Sequence, residues 1–169
     1  MEPAVKRALD LSTEGRILVT GTPITLKGDK LKLLIGELDK SHVVDLLPLP
    51  GLVKFAEKRR FEGDDVTDYI KESFAEFKLE DYSFLVLGCT HFNYFKDTLR
   101  KVLPNNIRFV DGNDGTVRQL IRRIGETGAR KNSKTRYFIS GREINENEKD
   151  ELLRIKTTKS QCDENIKTE

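Results

Sequence analysis

Short apolar runs alternate with amphipathic stretches along most of this chain. RILVT at 16–20, HVVDLL at 42–47 and SFLVLG at 83–88 are rich in branched aliphatics and are bounded by glycine, proline or polar residues, the pattern of strands. The third run is continuous in its hydrophobicity, as expected of a strand covered on both faces in a parallel sheet. Between the runs the period changes to that of helices. Pro3 suits the first turn of a helix over 3–11, and LKLLIGEL at 31–38 forms another. Leu52, Val53, Phe55 and Ala56 share one helical face within 52–60, and Asp64 is placed to cap a helix carrying Val66, Ile70, Phe74 and Phe77. GTPIT at 21–25 suits a strand-to-helix turn. A helix over 91–103, a strand at 107–110, a helix near 115–126 and a strand RYFIS at 136–140 continue the alternation. This order predicts an α/β fold: a parallel sheet with helices on both faces.

Past Gly141 the apolar residues thin out and charges of both signs crowd together, which predicts one loose helix near 145–156 and disorder beyond it. With 169 residues the chain can bury a core without staples. Its two cysteines, Cys89 after an apolar run and Cys162 in a polar tail, have no reason to pair, so reduced thiols and a cytoplasmic protein are expected. No window approaches the apolar length of a membrane span. Thirty Lys+Arg stand against 28 Asp+Glu, with the basic residues scattered among acidic ones, so neither nucleic acid nor membrane is an expected partner. The densest basic patch, Arg118, Arg122, Arg123, Arg130 and Lys131, reads as a solvated helix face.

Candidate chemistry gathers after the strands. Cys89 follows the third strand and precedes a helix, which places its thiol at the carboxyl edge of the sheet, where such folds bind ligands. A helix amino end and a neighbouring imidazole both favour a thiolate, and His91 lies two residues away. Thr90 adds a hydroxyl, and the first N–H groups of the helix suit a carboxylate. Cys89 as a small hydrophobe at a strand end is the equal alternative. Thr22 and Thr25 follow the first strand and can hold an anionic group, although turn threonines more often satisfy their own backbone. Glu57 stands among apolar neighbours on its helix, and solvent is its ordinary destination. His42 has no partner of note.

These residues carry a resemblance. LVLGCTHF at 85–92 resembles the second-cysteine motif of glutamate racemases, the cofactor-independent isomerases that supply D-glutamate for bacterial peptidoglycan. EPAVKRA at 2–8, VTGTPITL at 19–26, PGLVKFAE at 50–57, Asp111 and YFISG at 137–141 are similar to further blocks of that family in the same order. The resemblance implies that Cys89 removes or supplies the α-proton on one face of glutamate and that Thr90 and His91 bind or assist. It also implies that Glu57 is the carboxylate associated with that histidine and that Thr22 and Thr25 contact substrate, with no metal or other cofactor. Leu49 stands where the family has a cysteine, Asn93 where it has a proline, and Tyr94 and Phe95 where it has leucines.

The family's first half, with its Asp-Ser segment and its first cysteine in a C-N-T motif, has no counterpart here. The chain is therefore expected to comprise a helix 1–11 at a domain junction, an α/β domain 12–110 carrying Cys89, a partial return to the missing domain at 111–142, and the tail 143–169. The helix and the return would lack their packing partners. A separately encoded first half or self-association would then be needed for racemisation. Aspartate or hydantoin racemase is the related enzyme reading, disfavoured by His91 directly after Cys-Thr. A non-catalytic remnant or binding module from a truncated or split gene is the reading from another class.

Overall fold

The structure, a computed structural model, describes residues 1–125 and 135–150, which fall into two units, Met1–Arg123 and Ile124–Glu169. In the first unit four parallel strands form one sheet: β1 (Arg16–Gly21), β2 (Val44–Pro48), β3 (Tyr82–Leu87) and β4 (Arg108–Asp111), in the order β2-β1-β3-β4. Around them run α1 (Glu2–Leu11), α2 (Pro23–Lys27), α3 (Asp29–Leu38), α4 (Pro50–Glu57), α5 (Asp64–Phe74), α6 (Lys96–Val102) and α7 (Asn113–Ile124). The expected α/β architecture is present.

Residue alternation in the central strands divides the core in two. Ile17, Val19, Phe84 and Val86 meet Ala4, Val5 and Ala8 of α1, Leu26 of α2 and Leu31 of α3 on one face. Leu18, Leu85 and Leu87 meet Leu52 and Ala56 of α4, Val66, Ile70 and Phe74 of α5 and Leu99 of α6 on the other. Helix α1 thus finds its partner within this chain, contrary to the expectation of an unsatisfied end. Its small Ala4 and Ala8 let the helix backbone approach the sheet closely, and both are fully buried.

Several boundaries differ from the sequence reading for local reasons. β2 begins two residues later than expected because His42 is left-handed (φ 53°) and the Asp39 carboxylate accepts from the N–H groups of Val43 and Val44 at 2.9 and 3.0 Å. The helix expected over 91–103 is split into a 3₁₀ segment, Thr90–Phe95, and α6. Phe92 and Phe95, three apart and both fully buried, eclipse one another at the 3₁₀ period and point together into the core.

In the second unit the expected strand 136–140 is a short hairpin, β5 (Phe138–Ile139) against β6 (Arg142–Glu143), antiparallel. It turns at Ser140 and Gly141, which have φ of 49° and 81°, the left-handed pair that a tight hairpin turn requires. Residues 146–150 are helical, as expected for the start of the loose helix, while its continuation and the expected disordered tail lie outside the described residues. So do Arg130 and Lys131 of the basic patch, whereas Arg118, Arg122 and Arg123 are exposed.

The amino end of the sheet is tied by one polar cluster. The Arg16 guanidinium donates to both Asp45 oxygens at 2.7 and 2.8 Å, and the Tyr82 hydroxyl donates to the same carboxylate at 2.6 Å, so β1, β2 and β3 share a single acceptor. The Arg16 bond holds the Asp45 carboxyl below its ordinary value, with burial opposing and the Tyr82 bond assisting. Burial, followed by the Asp45 charge it is bonded to, pushes the Tyr82 hydroxyl up to about 12. Because the folded value of Asp45 lies below the unfolded one, its stabilisation is present above the unfolded carboxylate range and is lost as pH falls through the folded value. Arg16 is 39% exposed, so screening keeps the contribution modest. Asp45→Asn is expected to cost about 1 kcal/mol at pH 7. Urea unfolding across pH should show this difference shrinking as pH falls below the ordinary carboxylate range and through the lowered Asp45 value.

Candidate functional site

The sheet order makes its own crevice. After β1 the chain turns outward to β2, and after β2 it returns to the other side of β1 as β3, so the loops leaving β1 and β3 diverge at the carboxyl edge. Thr20 pairs with Leu87 across this seam, which sets Thr22 and Cys89 at matching heights just beyond it. The Gly88 N–H donates to the Thr20 carbonyl at 2.9 Å, and the Thr20 hydroxyl donates to the Val86 carbonyl at 2.8 Å. On the other side of β1 the Leu49 N–H donates to the Gly21 carbonyl at 3.0 Å, which starts α4 from the same edge.

Cys89 is half-buried, extended in backbone and followed at once by the 3₁₀ segment, whose first bond runs from the Phe92 N–H to the Cys89 carbonyl at 3.0 Å. Its Sγ lies 3.6 Å from His91 Nδ1. That distance puts the sulfur and the ring nitrogen within hydrogen-bonding reach of each other. The full α-helix expected immediately after Cys89 is absent, so the axial dipole of α6 begins only at Lys96 and the imidazole is the group at hand. Thr90 is exposed beside it.

The threonines of the first loop carry out the ordinary task first. Thr22 Oγ1 accepts from the Thr25 N–H at 3.3 Å and caps α2, and the two hydroxyls bond each other at 2.8 Å. Both remain half-buried at the edge, so one hydroxyl hydrogen can still turn outward. Glu57 is exposed on the last turn of α4, the helix that packs against the 3₁₀ segment. Among the described residues no hydrogen bond joins it to His91. Cys89, His91, Thr22 and Thr25 therefore come to one edge through the strand ends, whereas Glu57 approaches only through its helix.

Three features of this edge were not singled out from the sequence. Met1 places its thioether against Gly88 and near Gly21, and a Cβ on Gly88 would collide with Met1 and with the Thr20 carbonyl. Tyr69 of α5 lies across Gly51, and its hydroxyl oxygen accepts from the Gly51 N–H at 2.9 Å, satisfying a free donor in the first turn of α4. Lys96 Nζ lies 3.2 Å from Asp111 Oδ2, joining the start of α6 to the end of β4. A cavity elsewhere, at the amino end, is lined by Leu9, Ser12, Glu14, Asp39 and Lys40 and includes none of the candidate residues.

No family model matches the chain. Individual proteins do. It is 49% identical over 163 residues to a glutamate racemase of Campylobacter curvus, covering 92% of this chain and 60% of that protein. It is 45% identical to one of Lachnospira eligens, covering 85% of this chain and 57% of the relative. Among solved structures, a glutamate racemase of Campylobacter jejuni superposes with a TM-score of 0.61 at 25% identity, covering 73% of this chain and 48% of the other. The Escherichia coli glutamate racemase, solved with L-glutamate and an activator, superposes with a TM-score of 0.63 at 28% identity, covering 70% and 46%. By sequence and by fold the chain is similar to glutamate racemases, and it spans about 60% of the length of those curated relatives.

Two measurements probe the geometry. Gly88→Ala should cost about 2 kcal/mol in urea unfolding, because the Thr20 carbonyl is backbone and cannot step aside. His91→Asn should slow alkylation of Cys89 by iodoacetamide at neutral pH roughly tenfold, read by peptide mapping.

Proposed function

We propose that this chain, similar to the glutamate racemases, supplies one acid–base wall of a glutamate-isomerising site. The observation that carries the reading is the Cys89–His91 contact at the diverging β1–β3 edge. Inversion at the α-carbon needs a base on one face and an acid on the other, and a thiol serves either part near neutral pH. In this reading Cys89 exchanges the α-proton, His91 shuttles its proton, Thr90, Thr22 and Thr25 hold the substrate's charged groups, and Glu57 orients His91 once α4 and the 3₁₀ segment close on substrate. The substrate is a small amino acid, glutamate, no metal or other cofactor enters, and the product serves cell-wall peptidoglycan. The reading places the protein in a reducing cytosol, where a reactive thiol such as Cys89 is kept reduced.

In this reading Cys89 meets a second thiol presented across a contact surface of the chain. α7 offers such a surface: Val117, Leu120, Ile121 and Ile124 form a stripe at helical spacing and are 53, 55, 42 and 58% exposed. A stripe of this kind marks a contact surface. The partner is either a separately encoded polypeptide bearing the first cysteine or a second copy of this chain. Sedimentation of the purified chain should show concentration-dependent self-association that Leu120→Asp abolishes. A clean monomer at high concentration, unchanged by the substitution, would rule out a second copy of this chain as the occupant of the stripe.

The chain by itself is expected to exchange the α-proton of glutamate without inverting it. A lone base returns the proton to the face it came from, and a substrate held by one wall lacks much of the orientation on which the rate depends. Incubation with L-glutamate in deuterated water, followed by α-deuterium content and optical rotation, separates the cases. Slow deuteration with retention, lost in Cys89→Ala, is the expected result. Racemisation by the purified chain that disappears in Cys89→Ala would overturn the one-wall reading, and absence of any Cys89-dependent exchange would overturn the proton-transfer role.

A further inference from the structure

We propose that Lys96 and Asp111 act as positioning residues for the Cys89–His91 pair, clasping the segment that carries it to the end of β4. The two side chains meet at 3.2 Å and are only 16% and 15% exposed, more enclosed than Arg7–Asp114 or Arg16–Asp45. Enclosure matters because a pair that water screens poorly holds its geometry, whereas exposed pairs fluctuate.

Asp111 works in two directions. Oδ2 meets Lys96, while Oδ1 accepts from the Asn113 N–H at 2.8 Å, which fixes the turn from β4 into α7. Lys96 is the first residue of α6 and directly follows the 3₁₀ segment Thr90–Phe95. One carboxylate therefore binds the far end of the Cys89 segment to the neighbouring loop of the same sheet edge. The near end is fixed by the Gly88 N–H on the Thr20 carbonyl. Phe92 and Phe95 anchor the inward side of the segment in the core, but apolar burial does not dictate the angle at which Cys89 and His91 emerge on the outer side. A polar tether at a defined distance does, and a 3.6 Å sulfur–nitrogen contact is sensitive to shifts of an ångström.

The inference rests on the reading of Cys89 as the reactive group of this edge, and the test separates the two. Alkylation of Cys89 by iodoacetamide at one neutral pH, quantified by peptide mapping, is compared for the full chain and for Lys96→Met, Asp111→Asn, the double variant and Lys96→Arg, with thermal midpoints measured alongside. Lys54 and Glu57 on α4 and Asp97, Arg100 and Lys101 on α6, the other charged residues on the helices packed against the segment, are the same in every protein.

Positioning predicts that both single variants and the double variant slow alkylation roughly tenfold, with folding retained, and that Lys96→Arg recovers most of the rate. If the single variants move the rate in opposite directions and the double variant restores it, the pair acts through its field and the proposal is overturned. Unchanged rates with lowered thermal midpoints would show a purely structural pair, and overturn it likewise. If His91→Asn slows the reaction while none of the clasp variants does, the clasp alone fails. If His91→Asn has no effect either, the thiol–imidazole reading fails and takes the clasp with it.

Discussion

Everything in the first unit is arranged about the seam between β1 and β3. These strands are buried on both sides, so each residue commits to one of two cores, and a slip of one position would exchange the cores. The register Ile17 to Phe84, Leu18 to Leu85 and Val19 to Val86 keeps like faces together. It lets α1, α2 and α3 cover one side while α4, α5 and α6 cover the other. The same pairing dictates where chemistry can occur. Because the chain leaves β1 towards β2 on one side and leaves β3 towards β4 on the other, the loops at their carboxyl ends part, and Thr22 and Cys89 border the gap.

What could be read in advance follows from the range of each interaction. Continuous apolar runs with glycine and proline boundaries identify strands locally, and β1 and β3 matched their expected positions to within a residue. Shifts occurred where a side chain or backbone preference acted on a distant element. The Asp39 carboxylate delays β2 by bonding two N–H groups beyond His42. Phe92 and Phe95 sit at a spacing that serves an α-helix or a 3₁₀ segment equally, so the observed 3₁₀ winding of Thr90–Phe95 is not contained in their spacing. The strand expected at 136–140 is cut to two residues, Phe138–Ile139, because Ser140-Gly141 turns the chain back on itself.

The candidate site divides along the same line. Cys89, Thr90 and His91 are contiguous, so their meeting is nearly certain from sequence, and Thr22 with Thr25 needs only one helical turn. The Arg16–Asp45–Tyr82 cluster and the Lys96–Asp111 pair join residues 15 to 66 positions apart. No local pattern marks them, and they emerge only when strand order is known. Glu57 is the instructive intermediate. Its helix packs where the resemblance requires, yet its carboxylate is left in solvent on the final turn, so proximity of elements does not guarantee proximity of groups.

The outer strands of the sheet limit how the protein can meet another. β2 ends in Pro48, which has no N–H to offer, and carries the charged Asp45 near its start. β4 is four residues long and begins at an exposed Arg108. Short, charged or proline-tipped edges resist the addition of a fifth strand from outside. Recruitment by β-augmentation is thereby discouraged at both ends, and so is the runaway stacking of one copy's sheet onto the next. Association is left to surfaces whose geometry closes after one contact, which favours a discrete assembly over a fibre.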